Sequence, residues 1–85
     1  MSKSEKLLNR LLSLPRDFTY RELARLLNHF GYKESSRGKT SGSAAAFINH
    51  ETGHIIRLHK PHPRPVLKQY QIEEIIESLK SVRLI

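Results

Sequence analysis

The sequence predicts an α+β domain in which helices cover one face of a three-stranded antiparallel sheet. Short apolar runs bracketed by Gly and Pro occupy the middle of the 85-residue chain, and this pattern is typical of paired strands. Leucines and isoleucines recur at helical spacing before and after these runs, which indicates amphipathic helices. A chain of this length forms one domain, so we interpret residues 1–85 as a single unit with a modest core.

The first predicted helix covers residues 3–14 and belongs to an N-terminal helical extension (residues 1–15) of a core at residues 18–80. Pro15 ends the helix, because the residue before a proline is displaced from the helical region. We interpret its leucine stripe as a surface that packs against this domain or another chain. The stripe consists of Leu7, Leu8, Leu11 and Leu12.

The second predicted helix covers residues 20–30. Thr19 and Glu22 have the spacing of a capping box, in which each side chain accepts a hydrogen bond from the other residue's backbone N–H. Gly31 ends the helix, since glycine adopts the left-handed cap most easily. A DNA-binding helix-turn-helix is the alternative for the first two helices, but the connector at residues 15–19 does not resemble the short glycine turn of that motif.

Three strands are predicted, at residues 32–37, 44–49 and 54–59, and the first has the weakest signal. A turn at residues 50–53 joins the last two into a hairpin. Because side chains alternate along a strand, one face of this hairpin is apolar and the other mixes apolar and basic groups, as a binding face would. If Asn49 pairs with His54, the apolar face carries Ala45, Phe47, Ile56 and Leu58, and the mixed face carries Ala44, Ala46, Ile48, Ile55, Arg57 and His59.

The last predicted helix begins at Leu67 or Lys68, after prolines that cannot continue the sheet. Residues 82–85 are expected to form a short extra strand or a contact with a partner. The last five elements follow the order α-β-β-β-α, which is that of the double-stranded-RNA-binding domain, a fold that leaves one sheet face open. The apolar face of the last helix consists of Ile72, Ile75, Ile76 and Leu79.

The charge of the chain indicates the class of partner. There are 15 basic and 8 acidic residues, a net +7, and residues 33–68 hold seven of the basic and two of the acidic ones, a net +5. A focused positive charge on a small domain favours a polyanion, most often nucleic acid. The chain has no cysteine, which excludes thiolate sites and fits a reducing cytoplasm. No apolar run approaches the ~20 residues of a membrane span, so we expect a cytoplasmic protein without a membrane partner.

Four short motifs in a fixed order carry a family resemblance. They are Phe30-Gly31-Tyr32 at a helix end, Gly42-Ser43 before an apolar strand, Ile55-Ile56-Arg57-Leu58-His59 before a Pro-His loop (residues 60–65), and Ile75-Ile76 with Leu79 in the last helix. Over most of residues 18–80 the chain thereby resembles the HicA toxins of bacterial toxin–antitoxin pairs. The resemblance implies a double-stranded-RNA-binding-domain-like fold, metal-independent endoribonuclease activity on mRNA, and neutralisation by a HicB antitoxin.

One position departs from that family. HicA toxins commonly have a histidine directly after Gly-Ser, and that histidine is assigned to catalysis. This chain has Ala44 there. Three explanations are open: another histidine has taken over the role, the protein is a non-cleaving relative, or the alanine was introduced to silence a toxin.

His59 is the first candidate for the missing catalytic role. The hairpin register places it opposite Ala44, where its side chain can reach nearly the same volume. Metal-free RNA cleavage needs a base that takes the 2′-hydroxyl proton, and a neutral histidine suits this role because its pKa lies near the operating pH. Cations stabilise the charge that develops on the phosphate, which assigns Arg57 and Lys60 to phosphate binding. His62 is the second catalytic candidate and otherwise a phosphate contact.

The loop at residues 38–43 resembles a phosphate-binding loop, because its small residues expose backbone N–H groups. It lacks the spacing of a nucleotide-hydrolysing loop, so we expect contact with RNA phosphate or an ordinary hairpin connection. The remaining candidates for RNA binding are Arg37, Lys39, Ser43, Arg64 and Lys68.

No metal or cofactor is predicted. His50 and His54 flank one end of the hairpin, whereas His59 and His62 lie at the other end, a strand length away. These four histidines therefore cannot converge on one ion, and there is no cysteine to complete a site.

Three functions compete at this point. The first is a HicA-type ribonuclease toxin whose open sheet face is covered by an acidic or neutral antitoxin, with the alanine at 44 raising the question of activity. The second is a non-catalytic RNA-binding module. Such modules usually have a basic cluster at the start of the last helix, and the presence of only Arg64 and Lys68 there counts against this function. The third is the helix-turn-helix protein, which would bind DNA through Arg21 or Arg25.

Overall fold

A computed structural model of the chain describes residues 2–35 and 44–85. Over these residues the chain forms α1 (Lys3–Leu12), α2 (Tyr20–His29), β1 (Tyr32–Ser35), β2 (Ala44–Asn49), β3 (Ile55–His59) and α3 (Gln69–Ser81). The strands form an antiparallel sheet in the order β1-β2-β3. The predicted α+β fold class and the α-β-β-β-α order are confirmed.

The register of β2 and β3 is the predicted one. Ala44 pairs with His59 and Ile48 pairs with Ile55. The inward face of this hairpin is buried at Ala45, Phe47 and Ile56 and partly buried at Leu58, whereas Arg57 and His59 on the opposite face are exposed. We call this opposite face the open sheet face; it comprises Lys33, Ser35, Ala44, Ala46, Ile48, Ile55, Arg57 and His59.

A buried amide organises the turn between β2 and β3. Asn49 is 2% exposed, and its Oδ1 accepts hydrogen bonds from the backbone N–H groups of Glu51 (2.9 Å) and Thr52 (3.1 Å). Its Nδ2 donates to the carbonyl of Phe30 at the end of α2, at 3.1 Å. Gly53 closes the turn with φ +80°, which favours glycine. One side chain therefore fixes the hairpin turn and joins it to α2.

The core lies between the sheet and the helices. Leucines of α2 and isoleucines of α3 meet the inward face of the sheet, and α1 packs against both α2 and α3. Of the helices formed by residues 2–35 and 44–85, none combines the length and apolar character that crossing a membrane requires. The fully buried side chains include Leu11, Phe18, Leu23, Leu26, Leu27, Ile72 and Leu79.

An ionic link joins α1 to the start of α2. The Arg10 guanidinium donates to Glu22 Oε1 at 2.9 Å and to Asp17 Oδ1 at 3.1 Å, and it lies over the ring of Phe18. The predicted capping box between Thr19 and Glu22 is present. Burial alone would raise the pKa of Glu22, but the hydrogen bonds from Thr19 and Arg10 outweigh it and lower the pKa.

Several ends differ from the sequence expectation. α3 begins at Gln69 and not at Leu67 or Lys68, and α2 and β3 are each one residue shorter than predicted. Two larger differences have a cause in the backbone. α1 ends at Leu12 and not at residue 14, because Leu14 adopts a left-handed conformation with φ 53°. Residues 82–85 do not form a strand. Arg83 is also left-handed (φ 60°), and the Leu84 N–H donates to the Leu79 carbonyl at 3.0 Å, so the chain turns back and Leu84 and Ile85 pack against the core.

The segments that precede α2 and α3 pair with each other over a few residues. The sequence did not predict this contact. The Leu67 N–H donates to the Phe18 carbonyl at 2.8 Å, and the Tyr20 N–H donates to the Pro65 carbonyl at 2.9 Å. Phe18 and Leu67 are both buried. The end of the Pro-His loop is thereby attached to the beginning of α2.

Replacing Asn49 is expected to destabilise the fold. In Asn49→Ala three hydrogen bonds are lost and the carbonyl of Phe30 loses its donor, so the free energy of unfolding falls by about 3 kcal/mol. Asn49→Asp retains both acceptor contacts, but it loses the donor and places a buried carboxylate against the carbonyl of Phe30. Its deficit should shrink at acidic pH, where a protonated carboxyl can donate to Phe30. Urea denaturation at several pH values measures both effects.

His50→Ala, at the exposed neighbouring position, is the control and should change the free energy of unfolding by less than about 0.5 kcal/mol. An equal loss for His50→Ala and Asn49→Ala would contradict this role of the amide.

The lowered pKa of Glu22 predicts a pH-dependent contribution to stability. Because the folded pKa lies below the ordinary value of 4.5, the stabilisation is full above that value and is lost as the pH falls through the folded pKa. Glu22→Gln keeps a residue suited to the capping box and removes only the charge. We expect it to lower the free energy of unfolding by about 1 kcal/mol at pH 7 and by much less at a pH below the folded pKa. A deficit of the same size at both pH values would show that the charge is not responsible.

Candidate nucleic-acid interface

A shallow depression lies where β3 ends and the Pro-His loop leads to α3. Its volume is about 220 Å³, and we call it the loop-end depression. Two of its lining residues are histidines, two are lysines and none is acidic. Such a lining suits an anionic ligand. The lining residues are His59, Lys60, Pro61, His62, Lys68, Tyr70 and Gln71.

His59 is the last residue of β3 and contributes to both the open sheet face and the loop-end depression. It is exposed, and its imidazole takes part in none of the hydrogen bonds or ion pairs formed within residues 2–35 and 44–85. Directly paired residues of antiparallel strands have Cβ atoms about 4.5–5.5 Å apart. A histidine at position 44 and His59 would therefore be close neighbours on one face.

Gln71 fixes the backbone of the depression. This side chain is 6% exposed; its Nε2 donates to the His59 carbonyl and its Oε1 accepts from the Lys68 N–H, both at 3.0 Å. The first hydrogen bond holds the end of β3, and the second holds the start of α3. Gln71 therefore sets the position of His59 relative to Lys68, a role that the sequence analysis missed because a glutamine in a helix gives no signal of burial.

The structure places Arg57 and Lys60 on opposite faces of the sheet. Arg57 lies on the open sheet face and is exposed. The Lys60 ammonium is 3.7 Å from Glu34 Oε2 on the helix-covered face and 5.8 Å from the centre of the Tyr20 ring. Tyr20 also donates to Glu34, at 2.6 Å, and burial, together with this carboxylate, raises the pKa of Tyr20. Lys60 therefore has a structural partner, whereas Arg57 is available to a ligand.

The Pro-His loop extends the basic surface beyond the depression. His62, Lys68 and Arg64 line a second shallow depression beside Arg16, which the sequence analysis did not include among the candidates. None of the ion pairs within the described part of the chain involves Arg16, Arg64 or Lys68. The predicted residues His62, Arg64 and Lys68 are thus brought together. Arg37, Lys39 and Ser43 lie outside the described residues.

Two further residues belong to the candidate interface, although the sequence did not predict them. Lys33 of β1 lies on the open sheet face, where it pairs with Ile48. Tyr70 lies in the first turn of α3 and is 55% exposed. An aromatic residue two positions after Lys68, before the first apolar position of the helix, was the signal for Tyr70 in the sequence.

His54 contacts two hydroxyl groups within the fold. Its Nδ1 is 2.6 Å from the Tyr32 hydroxyl and its Nε2 is 3.2 Å from the Ser78 hydroxyl, so it links β1 to α3. Burial raises the pKa of Tyr32.

Within residues 2–35 and 44–85, no three His, Asp or Glu side chains are close enough together to hold a metal ion.

The comparison with protein families identifies the chain. The family described as HicA toxin of bacterial toxin-antitoxin matches residues 20–81. The chain belongs to the HicA toxin family. The match begins at the first residue of α2 and ends at the last residue of α3, so it contains the sheet and the loop-end depression and leaves α1 outside. Searches among curated proteins and among solved structures found no significant match.

Family membership has two consequences for this HicA protein. It is a toxin-type member of a toxin–antitoxin system, and an antitoxin is its expected counterpart. The departure at Ala44 now has a location: it is the exposed first residue of β2, on the open sheet face and opposite His59.

Substituting Gln71 is expected to disturb the end of β3. Gln71→Glu keeps the acceptor for Lys68 but places a carboxylate oxygen against the His59 carbonyl, so we expect a loss of about 2 kcal/mol in the free energy of unfolding and faster amide exchange near His59. Asn9→Asp makes the same amide-to-carboxylate change at an exposed position whose side chain forms no hydrogen bond within residues 2–35 and 44–85, and it should cost about 0.5 kcal/mol or less. Urea denaturation and amide hydrogen exchange measure both variants. Unchanged exchange near His59 in Gln71→Glu would contradict the proposed link.

Proposed function

We propose that this HicA-family protein is an endoribonuclease toxin that cleaves mRNA without a metal ion at the loop-end depression. The observation that carries the proposal is the position of His59. Its exposed imidazole, which forms no hydrogen bond within the described residues, lies beside His62 and Lys68 in a depression without acidic lining residues. Because mRNA is the substrate, we also assign the activity to the cytoplasm.

His59 is the proposed general base. Neutral His59 accepts the proton of a ribose 2′-hydroxyl, and the 2′-oxygen attacks the adjacent phosphorus. The bond from phosphorus to the 5′-oxygen of the next nucleotide breaks, and protonated His62 donates a proton to that oxygen. The products are a 2′,3′-cyclic phosphate and a free 5′-hydroxyl. The requirement for the 2′-hydroxyl explains the choice of RNA over DNA.

Cations around the depression are proposed to stabilise the transition state. Arg57 and Lys68 are exposed and form no ion pair within residues 2–35 and 44–85, so their charges are available to the phosphate oxygens. Lys60 would have to leave Glu34 to contribute. His62 and Arg64 continue the phosphate-binding surface along the loop. We also assign Arg37, Lys39 and Ser43 to RNA binding, from the sequence alone.

The open sheet face is the proposed site of neutralisation by a HicB-type antitoxin. Its exposed and half-buried apolar groups, Ile48 and Ile55, lie among the basic residues Lys33 and Arg57. A partner with acidic groups around an apolar centre would complement this surface. Because His59 belongs to the same face, such a partner would cover the proposed base.

A non-catalytic RNA-binding module is the second candidate function. The observation that favours it is Ala44, which removes the side chain that the family uses at this position. The helix-turn-helix alternative has no support in the family match, which contains α2, the sheet and α3 but not α1.

Induced expression in bacteria tests the catalytic proposal. We expect growth arrest with this chain, and loss of arrest with His59→Ala. The same variants should differ at least 100-fold in the rate at which the purified protein cleaves single-stranded RNA, since removing a general base typically costs two to four orders of magnitude. His50→Ala is the matched control, because His50 is an exposed histidine in the β2–β3 turn, at the other end of the hairpin, and should leave cleavage unchanged.

The variant Ala44→His separates the explanations for the departure at this position. If only Ala44→His arrests growth, the alanine has silenced the toxin and His59 is not the base. If no variant cleaves RNA while this chain still binds it, the ribonuclease proposal is wrong and the RNA-binding module takes its place.

A further inference from the structure

We propose that the ring of Tyr70 is the nucleobase-binding element of the loop-end depression, and that it stacks on an unpaired base of single-stranded RNA. This inference rests on the proposed function and assigns to the same site the part of the substrate that it recognises. It concerns a residue to which neither the fold nor the proposed cleavage step gives a role.

The exposure of Tyr70 has no explanation within the fold. Tyr70 is 55% exposed. Among the exposed large hydrophobic side chains in residues 2–35 and 44–85, the next most exposed is Leu12, at 43%. The other two tyrosines have defined partners: the Tyr20 hydroxyl donates to Glu34, and Tyr32 contacts His54. The Tyr70 hydroxyl takes part in none of the hydrogen bonds formed by the described residues.

The backbone on either side of Tyr70 is held by hydrogen bonds. Tyr70 is the second residue of α3, between Lys68 at the N-cap and Gln71. Gln71 is buried and holds both Lys68 and the end of β3 through its two hydrogen bonds. An aromatic ring on a fixed helical turn loses little conformational entropy when it binds a ligand, because only its two side-chain torsions have to be restricted.

The surroundings of the ring indicate the chemistry of its ligand. The depression also contains His59, His62, Lys60 and Lys68, and Pro61 is its one other apolar lining residue among the residues that the structure describes. An apolar docking site for a protein would offer more apolar neighbours. Aromatic rings beside cationic groups are typical of sites for single-stranded nucleic acid, where the rings stack on bases and the cations contact phosphates.

The ligand should be single-stranded. Bases within a duplex are stacked on one another and do not offer a free π-face, whereas unpaired bases can stack on an aromatic side chain. The proposed cleavage step also places a phosphate beside His59 and Lys68, in the same depression. Tyr70 would then hold a base next to the cleaved phosphate and orient the strand.

Two substitutions of Tyr70 measure the contribution of the ring. The probe is a fluorescein-labelled 2′-O-methyl oligonucleotide of mixed sequence, which cannot be cleaved because its 2′-oxygens are blocked. By fluorescence anisotropy, Tyr70→Phe should bind within two-fold of the unsubstituted chain, because the ring is retained. Tyr70→Leu should bind at least about five-fold more weakly, because an apolar group of similar reach remains but stacking is lost. Thermal unfolding should confirm that both variants are folded, as expected for an exposed position.

A third variant reports on stacking directly. The chain contains no tryptophan, so Tyr70→Trp introduces a single tryptophan at the site, which can be excited separately from the two remaining tyrosines. Its fluorescence should be quenched by the single-stranded probe and not by a fully paired duplex of the same sequence. Equal quenching by both would overturn the choice of an unpaired base.

The remaining outcomes distinguish the two proposals. If the unsubstituted chain does not bind RNA, the proposed function fails. If it binds RNA and Tyr70→Leu binds equally well, the role of Tyr70 is wrong while RNA binding stands. If Tyr70→Phe and Tyr70→Leu lose affinity equally, the hydroxyl group and not stacking is responsible. If Tyr70→Leu keeps its RNA affinity but loses binding to the antitoxin, the ring is a protein contact, and the proposal is overturned.

Discussion

The hydrogen bonds of the buried Asn49 side chain are the constraint on which the rest of the structure depends. They fix the turn between β2 and β3 and attach it to the end of α2. A turn that is fixed in this way also fixes the register of the hairpin, and a slip of one residue would exchange its two faces. Arg57 and His59 would then point into the core, and Ile56 and Leu58 would face water. The exposed position of His59 opposite Ala44 follows from this turn at the far end of the strands.

A second buried amide performs the corresponding task at the other end of β3. In residues 2–35 and 44–85, Asn49 and Gln71 are the two polar side chains that are buried. Both satisfy their donor and acceptor groups within the protein, and a buried amide with satisfied hydrogen bonds specifies geometry rather than adding much net stability. Gln71 joins the end of β3 to the start of α3. The candidate site therefore lies on backbone that is fixed, although most of its side chains are exposed.

The basic charge of the protein is divided between structural and available groups. Arg10 binds Glu22 and Asp17 and thereby attaches α1 to the family core, and Lys60 binds Glu34 under the sheet. Arg57, Arg64 and Lys68 take part in no ion pair within the described part of the chain and lie around the sheet edge, the Pro-His loop and the start of α3. A net charge counted along the sequence does not make this distinction, because the partner of Lys60 lies 26 positions away, on β1.

The sequence by itself determined the elements and the faces of the hairpin, because these depend on local signals. The capping box of Thr19 and Glu22, the left-handed Gly31 and the alternation along β2 and β3 were all readable from neighbouring residues. Only the tertiary structure decided which polar groups meet. It placed Lys60 away from Arg57, turned residues 82–85 back onto the core, and brought Tyr70 and Gln71 beside His59. These contacts depend on how separate elements pack together. Composition and periodicity do not specify how the start of α3 is placed relative to the end of β3.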